Sequence, residues 1–562
     1  MKSTHKIKAL WATALLIGAC SQEPIVPEPA APVVTPPPSG TAGSANFSKF
    51  VAVGNSLTAG YQAGALFTEG QNNSLAAILA KQFAFAGGST TFNQPDIGSA
   101  NGFNTTTTNP PVPDGPILGR LVLFDPDGPG PRTAAPAALG TPAREVTCPS
   151  TVNTPAVPGT GGDFPADFNG DETAINNFGV PGIILGQVLT GATGGPANPP
   201  GVVPPPNPAF NRFYQRFASN PGTSTILGDA LAAQGTFFLF FLGNNDVLGY
   251  ATTGASGAIP LTSEATFQTQ YNLAISQILA SNPNLKGVIG NIPDVTTIPF
   301  FFTVTHNAVT LTADQAAALN GAFAGYNAVM DAIAANPSLL AFSGSTAANL
   351  QARKITYAAG AGNRILIAEK TADFPDLGPT FDQLVAASQM TTQQRAALEP
   401  YRRVRQATAN DLITLSAGSV LGTCLNPPGN NPQLIIGTSI PLADQFVLLP
   451  SETAEIRART AAFNNIIRTA AEGSNNRLAL ADVNAAFAKL VTDRVQVFNG
   501  VTITPSFAPP TGGFSEDGVH PNSRGYAYLA NVFIDAINAK FGATVPRASL
   551  ADYKGTALPL NP

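Results

Sequence analysis

Hydrophobic and polar positions change period repeatedly along this chain. The stretch Phe47 to Tyr61 (FSKFVAVGNSLTAGY) opens with an alternating, partly β-branched run through Phe50, Val51 and Val53. It then turns through Gly54-Asn55-Ser56-Leu57-Thr58-Ala59-Gly60. That pattern predicts a buried strand, a tight turn and a helix beginning just after it. Thr236 to Leu242 (TFFLFFL) is an unbroken apolar run, as expected of a central parallel strand covered on both faces. Shorter strand signals lie at Ala174 to Gly182, Gly287 to Gly290 and Arg477 to Ala486. Helical spacing covers Ala265 to Leu279, Glu452 to Glu472 and Gly525 to Phe541. It also covers Thr312 to Ala335, where Thr312 and Gln315 form a capping box. Strands alternating with helices predict an α/β fold with a parallel sheet and right-handed crossovers.

Two stretches lack this periodicity. Residues 62–170 are rich in Gly, Pro, Asn and Thr, and 338–450 are irregular apart from some helix near Thr391 to Leu415. Loops of this length inside a compact domain are normally functional or disordered, so both are read as loop-rich insertions. Within the first, Asp163 to Asp171 (DFPADFNGD) alternates oxygen-bearing side chains as a calcium loop does. It lacks a bidentate glutamate at the expected distance, and no metal site is expected. The chain carries no internal repeat.

Composition narrows the class. The 562 residues allow several domains or one elaborated domain, and 44% hydrophobic residues suffice for a large core. Only 11% are charged, against roughly 25% in ordinary soluble domains. A net charge of −5 leaves no basic footprint for nucleic acid. Residues 1–19 read as a targeting segment: Lys2, His5, Lys6 and Lys8 precede an apolar run from Ala9 to Ala19 too short to span a bilayer. The run ends in Ile17-Gly18-Ala19-Cys20, which resembles the lipobox of bacterial lipoproteins. That resemblance implies cleavage before Cys20 and a lipid anchor on the cysteine; an ordinary secretory signal is the alternative. Ser21 at the next position suggests the outer membrane under the enterobacterial sorting rule. Residues 20–45 then form a lipidated, Pro-rich tether, 46–545 the main domain and 546–562 a C-terminal tail. Two cysteines remain, Cys148 and Cys424. An oxidising envelope compartment favours a disulfide between them; two unpaired buried thiols are the other outcome.

Candidate chemistry gathers at strand ends. Ser56 would stand at the carboxyl end of a strand and beside a helix N-terminus, where ligands bind in open α/β sheets and amides favour negative charge. It is placed as a nucleophile, or as an N-cap. Beyond the targeting segment only His306 and His520 can serve as an imidazole base. His520 lies in Ser515-Glu516-Asp517-Gly518-Val519-His520-Pro521-Asn522, with Asp517 three residues upstream. That spacing lets the carboxylate accept from the imidazole and fix its tautomer. His306 follows an apolar stretch with no carboxylate nearby and is read as structural. For an oxyanion site, Gly243-Asn244-Asn245-Asp246 follows the TFFLFFL strand, and Asn177-Phe178-Gly179-Val180-Pro181-Gly182 follows another. The Asn245 amide and the Gly182 N–H are the candidate donors.

In this order the four stretches resemble the blocks of the SGNH, or GDSL-type, hydrolase family. GNSL corresponds to the serine block, NFGVPG to the glycine block, GNND to the asparagine block and DGVHP to the aspartate–histidine block. Asn291-Ile292-Pro293-Asp294-Val295 is similar to the segment after the family's next strand. The resemblance implies a three-layer α/β/α core, with Ser56 as nucleophile, His520 as base and Asp517 as its orienting acid. Gly182 N–H, the Asn245 side chain and Ser56 N–H would form the oxyanion hole. The family's aspartate before the serine is Asn55 here, which is expected to brace the turn by hydrogen bonding. The rival α/β-hydrolases use a G-x-S-x-G elbow, which the chain lacks. The expected function is hydrolysis of carboxylic esters without a cofactor, on an acyl lipid or acylated glycan. Alternatives are a carbohydrate O-deacetylase, a thioesterase, or a surface-binding lipoprotein with a vestigial site.

Overall fold

The computed structural model describes residues 39–104, 117–125, 135–139, 145–147, 151–153, 157–197, 207–372, 374–423 and 434–561. All belong to the compact unit Ser39–Pro562. Cys20, Cys148 and Cys424, and with them the anchor and disulfide expectations, lie outside the described residues.

The regular elements that position the site follow in chain order. They are β1 (Phe50–Gly54), α1 (Ser56–Ala59), α2 (Leu75–Ala84), β2 (Asn177–Gly179), α3 (Ile226–Ala232), β3 (Phe237–Phe241), α4 (Asn245–Thr252) and α5 (Glu264–Ser281). After them come β4 (Lys286–Gly290), α6 (Ala313–Ala335), α7 (Pro450–Glu472), β5 (Leu478–Ala481), α8 (Val483–Asp493) and α9 (Ser523–Phe541).

The five strands form one parallel sheet in the order β5-β4-β3-β1-β2. The fold is therefore α/β, as the alternation of periods predicts. β3 explains why helices cover both faces. Consecutive residues of a strand point to opposite sides, and Phe240 and Phe241 are both buried. Phe240 packs against Tyr271 of α5 at 5.6 Å between ring centroids, and Phe241 against Phe533 of α9 at 5.3 Å. Each buried ring of this kind contributes roughly 1.5–3 kcal/mol. Helices α3, α5 and α7 lie on one face, and α2, α8 and α9 on the other.

Register brings the strand ends level. Gly54 of β1 pairs with Gly179 of β2 on one side and Phe241 of β3 on the other. The turns that follow all three strands therefore begin at the same height. They flank the point where chain order reverses in the sheet, the position that binds ligands in open α/β folds.

Several segments differ from the sequence expectation. Helix α2 lies inside 62–170, the stretch read as irregular; its Leu75, Ile78, Leu79 and Phe83 belong to the main core. Helix α6 starts behind the expected Thr312–Gln315 capping box, but its buried face joins a separate apolar cluster. That cluster and a neighbouring one draw on residues 311–449. Strand β5 stops at Ala481, because Asp482 caps α8. Some helix is expected near Thr391 to Leu415; it appears as Thr392–Ala397 and a single turn at Glu399–Tyr401, with short strands between them and Leu415. Residues 39–45, assigned to the tether, are fastened to the end of α9, where Ser44 N–H donates to the Phe541 carbonyl at 2.8 Å. The C-terminal tail is packed rather than free, with Leu550 and Tyr553 in the main core.

Candidate active site

The turn after β1 is closed by Asn55. Its side-chain oxygen accepts from Leu57 N–H at 3.1 Å, and its carbonyl accepts from Thr58 and Ala59. Asn55 is thus the helix cap and braces the turn as expected, while Ser56, the alternative cap, is the first residue of α1. Gly179 permits the arrangement, since a Cβ there would lie 2.4 Å from Ala59 N. The Ser56 hydroxyl is left available to a partner across the cleft.

That partner is His520. Its Nε2 lies 2.9 Å from Ser56 Oγ, and its Nδ1 lies 2.8 Å from Asp517 Oδ2. Asp517 is held from all sides. Val519 N–H and His520 N–H each donate to Oδ1 at 2.9 Å, and Gly64 N–H donates to Oδ2 at 2.9 Å. Ser515 Oγ lies 3.1 Å from Oδ1 and accepts from Ala63 N–H at 2.8 Å. Burial alone would raise the Asp517 carboxyl, but the His520 charge and these hydrogen bonds outweigh it. The group is held below the ordinary aspartate range and stays ionised. The Tyr61 ring leans against the imidazole at 4.9 Å.

The oxyanion candidates meet in the same cleft. About 860 Å³ of space, open to solvent, is bounded by Ser56, Gly182, Asn245 and His520 together with aromatic residues such as Phe103 and Phe213. Gly182 has a φ of +80°, a conformation that suits glycine. Among the hydrogen bonds of the described residues, neither Ser56 N–H nor Gly182 N–H donates to a protein acceptor. Asn245 uses one side-chain N–H on the Ile183 carbonyl at 2.8 Å and keeps the other. Asn211 sets the direction of the glycine donor. Its amide donates to the Pro181 carbonyl at 2.8 Å. In a planar trans peptide the C=O and N–H point opposite ways, so holding Pro181 O aims Gly182 N–H. Asp246 ties the same loop to α4 by accepting from Leu185 N–H at 2.9 Å, and from Thr262 Oγ at 3.0 Å. Burial pushes its carboxyl up to about 6 against those two bonds.

Sequence reasoning missed Asn211, Asp246, Ser515 and the Ala63–Gly64 amides. Asp246 and Ser515 sit inside motifs that were recognised, and adjacency was their only signal. Asn211 carried none. His306 is not brought to the cleft; its carbonyl accepts from Ile365 N–H at 2.9 Å. The carboxylates of DFPADFNGD separate: Asp163 accepts from Ser99, Asp167 pairs with Arg212 at 3.0 Å, and Asp171 caps a short helix. Among the described residues no cluster of His, Cys, Asp and Glu is arranged to hold a metal ion.

Behind Asp517 lies a second carboxyl, Glu516, in a polar cavity shared with Arg120, Glu69 and Lys554. Burial, helped by Asp517 and opposed by Arg120, pushes it up to about 7.

Compared with known proteins, the chain matches no family model, no curated protein and no solved structure.

Proposed function

We propose that the protein is a serine-dependent carboxylic ester hydrolase of the SGNH type. The observation that carries this is the Ser56–His520–Asp517 relay opening beside donors with no protein acceptor. In the proposed mechanism His520 Nε2 takes the Ser56 proton as Oγ bonds to the ester carbonyl carbon. The carbonyl electron pair moves to oxygen, which Ser56 N–H, Gly182 N–H and Asn245 receive. The intermediate collapses by breaking the bond to the alcohol oxygen, which leaves with the proton from the imidazolium. Water then adds to the acyl-enzyme by the same proton path, releasing the acid and restoring Ser56. Asp517 holds the tautomer and stabilises the imidazolium.

The SGNH arrangement is supported by the placement of its blocks at the ends of β1, β2 and β3. The resemblance of Ile17-Gly18-Ala19-Cys20 to a lipobox supports a bacterial envelope location with a lipid anchor at Cys20, and Ser21 supports the outer membrane. Replacing Cys20 by Ser should move the protein from the membrane fraction to the soluble one. None of the described helices is long and apolar enough to cross a membrane. A second reading, an O-deacetylase of acylated glycans, draws on Asn211 and Arg212 at the cleft, which suit a polar alcohol.

The test is hydrolysis of p-nitrophenyl esters of graded acyl length by the wild type and Ser56→Ala. Turnover should fall by roughly 10⁴-fold or more in the variant without loss of folding. Undiminished activity in Ser56→Ala would sink the mechanism.

A further inference from the structure

The polar cavity behind Asp517 measures about 640 Å³, is partly open, and shares no lining residue with the cleft at Ser56. Lys554 and Glu69, both exposed, pair on its wall at 2.8 Å. Glu516 and Arg120 face the same space without forming an ion pair. Glu516 is only 7% exposed, and among the described residues its carboxyl has no partner beyond its own backbone N–H. The Arg120 guanidinium lies over the Phe67 ring at 5.3 Å, and its buried Nε–H has no acceptor among the described residues. The remaining charges nearby are engaged elsewhere. Asp517 is held by His520 and backbone amides, and Arg524, beside Gly555 of the wall, donates to the Pro510 carbonyl. Burial strips water from Glu516 and Arg120 alike, so each gains from a partner within the cavity.

We propose that this cavity binds a small monocarboxylate anion, gripped by the Arg120 guanidinium and by a protonated Glu516. Charge balance selects the class. Lys554 and Glu69 neutralise each other, so Arg120 leaves one positive charge beside a carboxyl that burial pushes up to about 7. A cation would meet repulsion from Arg120, and a dianion would leave one charge uncompensated. A monoanion balances Arg120 while Glu516 keeps its proton. The planar guanidinium fork matches the two oxygens of a carboxylate, and a carboxylic acid O–H donates to such an anion in a short, charge-assisted bond. Ala63, Phe67 and Ala557 on the walls suit a short alkyl part. Binding here does not require Ser56.

The experiment is calorimetric titration of the full chain in detergent with sodium propionate, in a buffer free of other carboxylates. Propionate stays ionised from mild acid upward, so a loss of affinity with rising pH reports the Glu516 proton. Wild type should bind in mild acid and weaken about ten-fold for each pH unit above about 7. Arg120→Gln should lower the affinity in mild acid by about 10-fold or more. Glu516→Gln exchanges the acid O–H for an amide N–H that does not titrate, so binding should persist and lose its pH dependence. If Arg120→Gln fails to fold, the pH profiles of wild type and Glu516→Gln decide. Absence of binding by wild type in mild acid overturns the proposal. So does an affinity unchanged in Arg120→Gln, the result if propionate sits in the first cleft, and so does an equal fall with pH in wild type and Glu516→Gln. Methylammonium bound more tightly than propionate would place a cation on Glu516 and overturn it as well.

Discussion

The sheet and the region built from residues 311–449 are held together by different means. Around the sheet the largest buried groups are rings, such as Phe267 stacked on Phe463 at 3.8 Å between centroids. In the other region the strands are only two to four residues long, and buried arginines brace the two apolar clusters. Arg405 bonds Glu369 at 2.7 Å and Asp411 at 2.7 Å, all three buried. Arg353 donates to the Arg402 and Pro375 carbonyls, and the Phe374 ring lies between Arg353 and Arg405 at 5.0 and 5.7 Å. Short elements bury too little continuous apolar surface to fix their own register, whereas directional bonds from a planar guanidinium do so. The contrast separates two uses of buried charge. Where a buried guanidinium is matched by carboxylates or carbonyl oxygens far from the cleft, as Arg405 and Arg353 are, its role is architectural. Where a carboxyl lies buried without a cationic partner in contact, as Asp246 and Glu516 do, it stands beside the site.

The largest expected effect attacks the site. Asp517→Asn should lower kcat by about 10⁴-fold, because the imidazole loses its tautomer and its counter-charge. A normal circular-dichroism spectrum with lost turnover would keep the contrast intact, whereas retained turnover would break it.

Arg405→Ala should do the reverse. Leaving Glu369 and Asp411 buried and unpaired is expected to destabilise the protein by about 3–5 kcal/mol in urea unfolding. Turnover per folded molecule should stay close to wild type, and a parallel loss of kcat would show that the two regions are coupled.

Glu516 supplies a pH test. Its folded pKa lies above the unfolded value of 4.5, so the native state holds the proton more tightly. Stability present below the ordinary glutamate range should fall as pH rises towards about 7 and then level off. Glu516→Gln should remove that slope, a difference on the order of 1–3 kcal/mol at pH 8 by thermal melting. The same slope in both proteins would exclude Glu516 as its source.

The smallest effect concerns Asn211. Asn211→Ala should reduce kcat by roughly 10-fold with KM little changed, since the aim of Gly182 N–H is lost together with the cap bond that Asn211 Oδ1 accepts from Phe213 N–H at 2.9 Å. A rise in KM alone would point to substrate contact instead.

Much of the sheet was legible because its strands are apolar runs closed by glycine turns, and TFFLFFL appears as Phe237–Phe241. The Ser56, Asp517 and His520 positions were legible because their neighbours fix local turns. Packing partners were not. The period of α6 names a helix but cannot say which core its Phe323 and Met330 will join. Helix α2 was hidden because a long Gly- and Asn-rich surrounding masked ten residues, capped by Ser74. Asn211 acts through the Pro181 carbonyl, a contact thirty residues distant in sequence that no local pattern announces.

The relay joins positions 464 residues apart, and the latch from Gly64 N–H to Asp517 spans 453. During synthesis Ser56 emerges early, and His520, its proposed base, arrives just ahead of α9. Until α9 docks, Ser56 is an ordinary alcohol with nothing to take its proton. In the proposed mechanism the order of translation would act as a safety catch, leaving Ser56 without a base until the chain has closed.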